Sequence, residues 1–197
     1  MGEIVGAALL AHVPTMVLPV ETRYELNEGK EISLVPGLHR FRSEVMDHLD
    51  IDTVLVFDSH WFTTVEFIVT SHERRVGRYT SGELPRGMSQ VPYDIPGDPQ
   101  LARAIAATSA GRDDAWITAI DDECLPIEYP TVNLLGFLQR DEAWVSFSCA
   151  QTGEYGDFML TGQLVGDAIR ASDRKVFLRS EEHTSELQSR GLISYAV

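Results

Sequence analysis

Only two of the 197 residues are cysteine, Cys124 and Cys149, so no disulfide framework is available and a reducing cytoplasm is the expected compartment. No run of 18 apolar residues occurs, which argues against a helical membrane span. The start Met1-Gly2-Glu3-Ile4 lacks a basic segment, and the apolar stretch behind it is broken at His12 and Pro14, so it does not read as a secretory signal. Basic residues are scarce as well: 16 Lys and Arg stand against 30 Asp and Glu, for a net charge of −14. A surface of that sign repels phosphate backbones and anionic lipid, so neither nucleic acid nor a membrane surface is an expected partner. The phosphate-cradling loop, the dinucleotide fingerprint, zinc-knuckle spacing, the Gly-x-Ser-x-Gly elbow and internal repeats are all missing.

What is present is an ordinary globular composition, 44% apolar and 23% charged, in a length that suits one domain. Buried strands are predicted at Ile4–Leu10, Thr53–Phe57, Val65–Thr70, Trp144–Cys149 and Lys175–Leu178. Between them, Leu38, Phe41, Val45 and Leu49 share one helical face behind Pro36-Gly37, and Asp98-Pro99 caps a helix over Leu101–Thr108. Further helices are predicted over Thr131–Leu138 and Asp157–Ala171. The stretch from His72 to Pro99 is rich in Gly, Pro, Ser and Arg, has no period, and reads as a long excursion over one face. Strands alternating with helices predict an α/β fold, a sandwich of helices around a central, mixed and largely buried β-sheet.

From Arg179 the pattern stops. The run Arg179 to Ser189, Arg-Ser-Glu-Glu-His-Thr-Ser-Glu-Leu-Gln-Ser, has no apolar period of either kind and resembles the in-frame translation of a common sequencing-library adapter. The expected organisation is therefore a domain over residues 1–178 and a non-native tail over residues 179–197 that carries no fold information. A sheet cut at Leu178 is expected to leave Val176 and Phe177 uncovered, with an unpaired edge prone to aggregate.

Two histidines stand out. His12 follows the strand at Ile4–Leu10, and His60 follows the strand at Thr53–Phe57. The crevice beyond the carboxyl ends of strands is where open α/β sheets collect ligands. Neutral imidazole is the commonest metal ligand, and two of them with one carboxylate leave open positions on a divalent iron.

The segments Ala11-His12-Val13-Pro14-Thr15-Met16 and Val56-Phe57-Asp58-Ser59-His60-Trp61-Phe62 together resemble the class III extradiol ring-cleaving dioxygenases, and within them the 3,4-dihydroxyphenylacetate (homoprotocatechuate) 2,3-dioxygenases. Tyr79-Thr80-Ser81-Gly82-Glu83-Leu84-Pro85, Gly97-Asp98-Pro99-Gln100-Leu101 and Ile127-Glu128-Tyr129-Pro130-Thr131 extend the resemblance in register to about Leu178. It implies cleavage of a catechol such as 3,4-dihydroxyphenylacetate by O2, in aromatic-compound catabolism. It also implies a non-haem Fe2+, ahead of Mn2+ or Zn2+, held by His12 and His60. A homo-oligomeric parent is implied as well. The family's third ligand is a glutamate in a C-terminal third that this chain lacks, so the chain is expected to be an inactive fragment. The family's acid/base histidine would fall where the foreign text begins. His183 lies in that text and is assigned nothing, so no catalytic or substrate-binding residue is named. Some relatives carry a histidine before the Glu-Tyr motif, where this chain has Asp121 and Asp122. Two other readings are carried: a metal-dependent dioxygenase of this fold acting on another catechol or aminophenol, and a non-enzymatic binding protein that kept the sheet.

Other residues have plainer readings. Asp58 is expected to cap the turn before His60, and Glu128 and Tyr129 to begin a helix. His39 and His48 are placed on a solvated helix face and His72 on the surface. Among Arg74, Arg75, Arg78 and Arg86, one is a candidate receiver for a substrate carboxylate. Trp61 and Phe62 suit core or pocket wall equally, and Cys124 and Cys149 read as small buried apolar residues.

Overall fold

The computed structural model describes residues 1–82 and 85–181. In chain order the elements are β1 (Glu3–Leu10), α1 (Val20–Leu26), α2 (Leu34–Glu44), β2 (Thr53–Thr63), β3 (Phe67–Thr70), β4 (Arg74–Tyr79), β5 (Val91–Pro96) and α3 (Pro99–Ala107). There follow β6 (Ile117–Ile120), α4 (Tyr129–Leu138), β7 (Ala143–Ala150), α5 (Tyr155–Ala171) and β8 (Lys175–Glu181). Six strands form one sheet in the order β1-β8-β2-β7-β3-β6. The first four run parallel, β3 is antiparallel to β7, and β6 is parallel to β3. The sheet is therefore mixed, as the alternation of elements predicts.

Alternation along the strands builds the two faces. Leu55, Val145, Phe147 and Val176 pack with Leu101 and Ile105 of α3 and with Leu164, Val165 and Ile169 of α5. Their strand neighbours Val54, Val56, Trp144 and Phe177 point the other way, onto Val35 and Leu38 of α2 and Val132, Leu135 and Leu138 of α4. A parallel sheet covered on both faces needs such continuous apolar runs. Val176 and Phe177 are buried, which corrects the expectation that they lie uncovered. The reason is topological: β8 is paired on both sides, by β1 and β2, and the sheet's edges are β1 and β6.

Three further differences have simple causes. The excursion after His72 contains an antiparallel ribbon of β4 and β5. Its signal is hidden because charge and glycine replace apolar alternation: Arg74 faces Asp94 at 2.6 Å, and Gly77 sits where any Cβ would run into the Tyr93 hydroxyl. Helix α2 starts before Pro36, because a proline in the first turn removes no intrahelical hydrogen bond. Strand β8 continues three residues past Leu178, to Glu181. His183 and the rest of 182–197, with Glu83 and Leu84, lie outside the described residues.

The N-terminal ends of β2 and β8 are tied together by Asp98, the N-cap of α3. Its carboxylate accepts from Leu101 N (3.0 Å), Thr53 Oγ1 (2.9 Å) and Arg174 Nε (2.8 Å). Burial opposes the charge, but these donors prevail and hold the Asp98 carboxyl below its usual range. The stability it contributes is present above about pH 4 and is lost as pH falls through the depressed folded value. Asp98→Ala is expected to cost about 3 kcal/mol in urea unfolding at neutral pH. Asp98→Asn should remove Asp98's share of the pH dependence below about pH 4; an unchanged acid limb would contradict the assignment.

Candidate metal centre

The crevice at the C-terminal ends of β1, β8 and β2 is assembled from three adjacent chain ends. After β1, Ala11-His12-Val13 enters a short 3-10 turn at Pro14–Val17, and Asn133 Nδ2 of α4 donates to Val13 O at 3.2 Å. That bond pins the backbone beside His12, whose side chain lies within the fold at 5% exposure. In β2, pairing with β8 ends at Phe57, and pairing with β7 jumps from Asp58↔Ser148 to Phe62↔Cys149. Ser59, His60 and Trp61 are thus extra residues on one strand, a bulge that re-aims side chains at the sheet's rim. Asp58 locks the bulge, its Oδ1 accepting from His60 N at 3.0 Å, the local turn expected of it. Its Oδ2 accepts from Thr131 Oγ1 at 3.4 Å.

These two ends bring His12 and His60 together. Their ring centroids are 4.9 Å apart at 77° between planes. Tyr129, the first residue of α4, packs edge-on against both, at 5.3 Å from His12 and 4.6 Å from His60. Glu181 reaches the same place from the end of β8. Its Oε2 accepts from Ser59 N, Ser59 Oγ and His60 Nδ1, each at 3.1 Å. Its Oε1 accepts from Arg179 Nη2 at 3.1 Å. Arg179 is 1% exposed and also donates to Thr131 Oγ1 (3.3 Å) and Pro130 O (3.4 Å).

Burial and mutual repulsion shape the charges. Burial, and then the neighbouring Glu181 charge, push the Asp58 carboxyl up to about 7. Burial would raise Glu181 too, but the hydrogen bond from His60 and the charge of Arg179 hold it below the ordinary glutamate value. Burial works against a charged His60, yet its bond to Glu181 and the surrounding carboxylates raise it overall. Burial raises Glu128, partly offset by His60, and pushes the Cys149 thiol up to about 11. Among the described residues, Asp58, His60 and Glu181 form a group whose donor atoms lie within 4.8 Å of one another. With the His12 ring alongside, the donor set of imidazole and carboxylate suits a divalent cation.

Other sequence expectations fare differently. His39 and His48 are exposed, as read, but α2 ends at Glu44 and His48 lies in a short 3-10 turn, Met46–His48, rather than on a helix continuing to Leu49. His72 is buried rather than on the surface, because its ring nitrogen Nε2 bonds Asp122 O at 2.8 Å beneath the loop before α4. Arg75 is buried under the same loop, donating to Leu125 O (3.2 Å) and Pro126 O (2.6 Å), while Arg74, Arg78 and Arg86 are exposed. Glu128 occupies the N-cap of α4, but its side chain makes no capping bond. Phe62 is 59% exposed, so it is neither core nor pocket wall. Cys124 is exposed, not buried. Arg179 and Glu181 are buried at the end of β8, but they lie in the stretch read from the sequence as non-native, so no functional role is assigned to them.

Comparison with known proteins agrees with this architecture. Residues 6–176 match the profile of a family described as the catalytic LigB subunit of aromatic ring-opening dioxygenase. The chain is 29% identical over 182 residues to a 3,4-dihydroxyphenylacetate 2,3-dioxygenase of Escherichia coli, a match covering 89% of this chain and 63% of that protein. It thus spans less than two-thirds of that relative's length. Among solved structures it resembles the uncharacterized protein JW3007 of Escherichia coli K12, with a TM-score of 0.55 and 16% identity, over 77% of this chain and 53% of the other. At that identity the likeness bears on fold alone.

Removing the buried cation would leave Glu181 without its counter-charge. Arg179→Ala is expected to lower stability by about 3 kcal/mol, measured from the urea midpoint at neutral pH; a loss below about 1 kcal/mol would show the pair to be solvent-screened.

Proposed function

This chain belongs to the LigB family of aromatic ring-opening dioxygenase catalytic subunits, and on that premise we propose that its crevice is part of the iron site for extradiol cleavage of a catechol by O2 in the whole enzyme, this chain by itself being inactive. His12 and His60 are two protein donors to a non-haem Fe2+, and 3,4-dihydroxyphenylacetate is the substrate, by analogy with the named Escherichia coli relative. The observation that carries the reading is the pair of imidazoles 4.9 Å apart, His12 just past the end of β1 and His60 in the bulge of β2. When bound, an open-sided divalent iron supplies adjacent positions for the catechol oxygens and for O2.

The chain's own residues hold and enclose that position. His12 is fixed through the Asn133–Val13 bond. His60 is fixed through the Asp58 turn. Tyr129 packs edge-on against both rings and flanks the place where they meet. The helix α4 therefore acts on the site twice, through Tyr129 and through Asn133.

Anaerobic titration of the purified chain is expected to give one Fe2+ per chain. His12→Ala and His60→Ala should each weaken binding by more than about 100-fold, beyond the effect of losing a supporting partner. The chain itself is expected to show no O2 uptake or ring-fission absorbance with 3,4-dihydroxyphenylacetate; turnover would contradict its assignment as an inactive fragment. Metal binding indifferent to both histidines would contradict the reading.

A further inference from the structure

One corner of the molecule, where β3, β6 and α5 begin, is apolar and open to solvent. Val65, Trp116, Tyr155, Phe158 and Met159 lie there, each between 41% and 81% exposed. Phe67 N donates to Trp116 O at 2.9 Å and Thr152 N donates to Thr64 O at 3.1 Å, so the segments leading into β3, β6 and α5 run side by side. The Phe158 ring stands edge-on to Phe67 at 5.3 Å, and the spacing of Tyr155, Phe158 and Met159 puts them on one side of the first turns of α5. A hollow of about 300 Å³ opens among Val65, Phe67, Trp116, Gly153 and Thr161. We propose that this corner is a two-fold interface between two copies of the chain, with Tyr155 of each copy entering the hollow beside the partner's Trp116. The inference is independent of the metal reading above.

Two observations carry it, and a third sets the sign of its salt dependence. The first is area. The five side chains leave about 550 Å² of largely apolar surface in solvent, and contiguous patches of that size mark interaction sites. A standard interface buries about 800 Å² per partner, a little over half of it apolar, so the corner supplies the whole apolar share. Its Trp, Tyr, Phe and Met are also the residue types that interface centres favour. The second is shape. Tyr155, 81% exposed, stands two residues past Gly153, which lines the hollow. Knob and hollow therefore adjoin on one surface, and a two-fold contact requires a surface that is its own complement. The third is charge. Glu66, Asp113, Asp114 and Asp157 rim the corner, and the nearby Arg112 is paired with Asp114 at 2.8 Å. Across a two-fold these acids face each other, so the apolar centre holds the contact while the rim opposes it at low salt. A basic partner docking on the same corner would show the opposite dependence.

Sedimentation equilibrium of the purified chain at micromolar concentration is expected to show a monomer–dimer equilibrium. The dimer should tighten as NaCl rises from about 0.05 M to about 0.5 M. Tyr155→Ala and Trp116→Ala should each weaken it about 30-fold, as the loss of a central anchor does, with far-UV circular dichroism unchanged because both side chains are largely solvated. Leu9→Ser is the control for the other open surface, the β1 edge of the sheet, and should leave the dimer constant unmoved. A chain that stays monomeric at every salt concentration overturns the proposal, and so does a dimer that weakens as salt rises. A dimer indifferent to both Tyr155 and Trp116, or one lost on Leu9→Ser, places the contact elsewhere. Growth beyond the dimer contradicts a closed two-fold.

Discussion

The insertion of β8 between β1 and β2 is the constraint on which the rest depends. Because all three strands are parallel, their C-terminal ends emerge along one rim, and whatever residues follow them are forced into a shared crevice. His12, the Asp58–His60 bulge and Glu181 meet for that reason and not because any of them is close in sequence. The bulge matters as much as the order: continued regular pairing past Asp58 would keep the strand flat where the Ser59–Trp61 insertion now turns His60 into the crevice.

The β2–β8 pair is held at both ends by a carboxylate and an arginine. At the start, Asp98 gathers Thr53, Arg174 and the first turn of α3. At the finish, Glu181 gathers Ser59, His60 and Arg179. The two differ in what surrounds them. Arg174 is partly solvated, whereas Arg179 is not, so the second pair is costly to break and gains nothing from water. Asp58, buried beside the same charge, is pushed toward its neutral form and stabilises the bulge mainly through its bonds to His60 N and Thr131.

Much of this was legible from the residues alone. Apolar runs such as Thr53–Phe57 announce buried strands because a sheet covered on both faces needs them, and Asp98-Pro99 announces the start of α3 through local capping chemistry. His12 and His60 were legible because strand ends in this kind of sheet face one crevice. The ribbon of β4 and β5 was not, since its pairing rests on Arg74–Asp94 and on the close approach at Gly77 instead of on apolar alternation. Nor was the burial of His72, which depends on a backbone carbonyl 50 residues away. The placement of Glu181 beside Leu10 follows only from the register of β8 against β1, and it falls in the stretch read as non-native.

The most direct test of the account is X-ray absorption at the iron edge of the Fe2+-loaded chain. Two imidazole rings in the first coordination shell, with the remaining scatterers light oxygen or nitrogen atoms, is the predicted result. A shell with one imidazole or none would mean that the meeting of His12 and His60 at this rim serves packing and not metal binding.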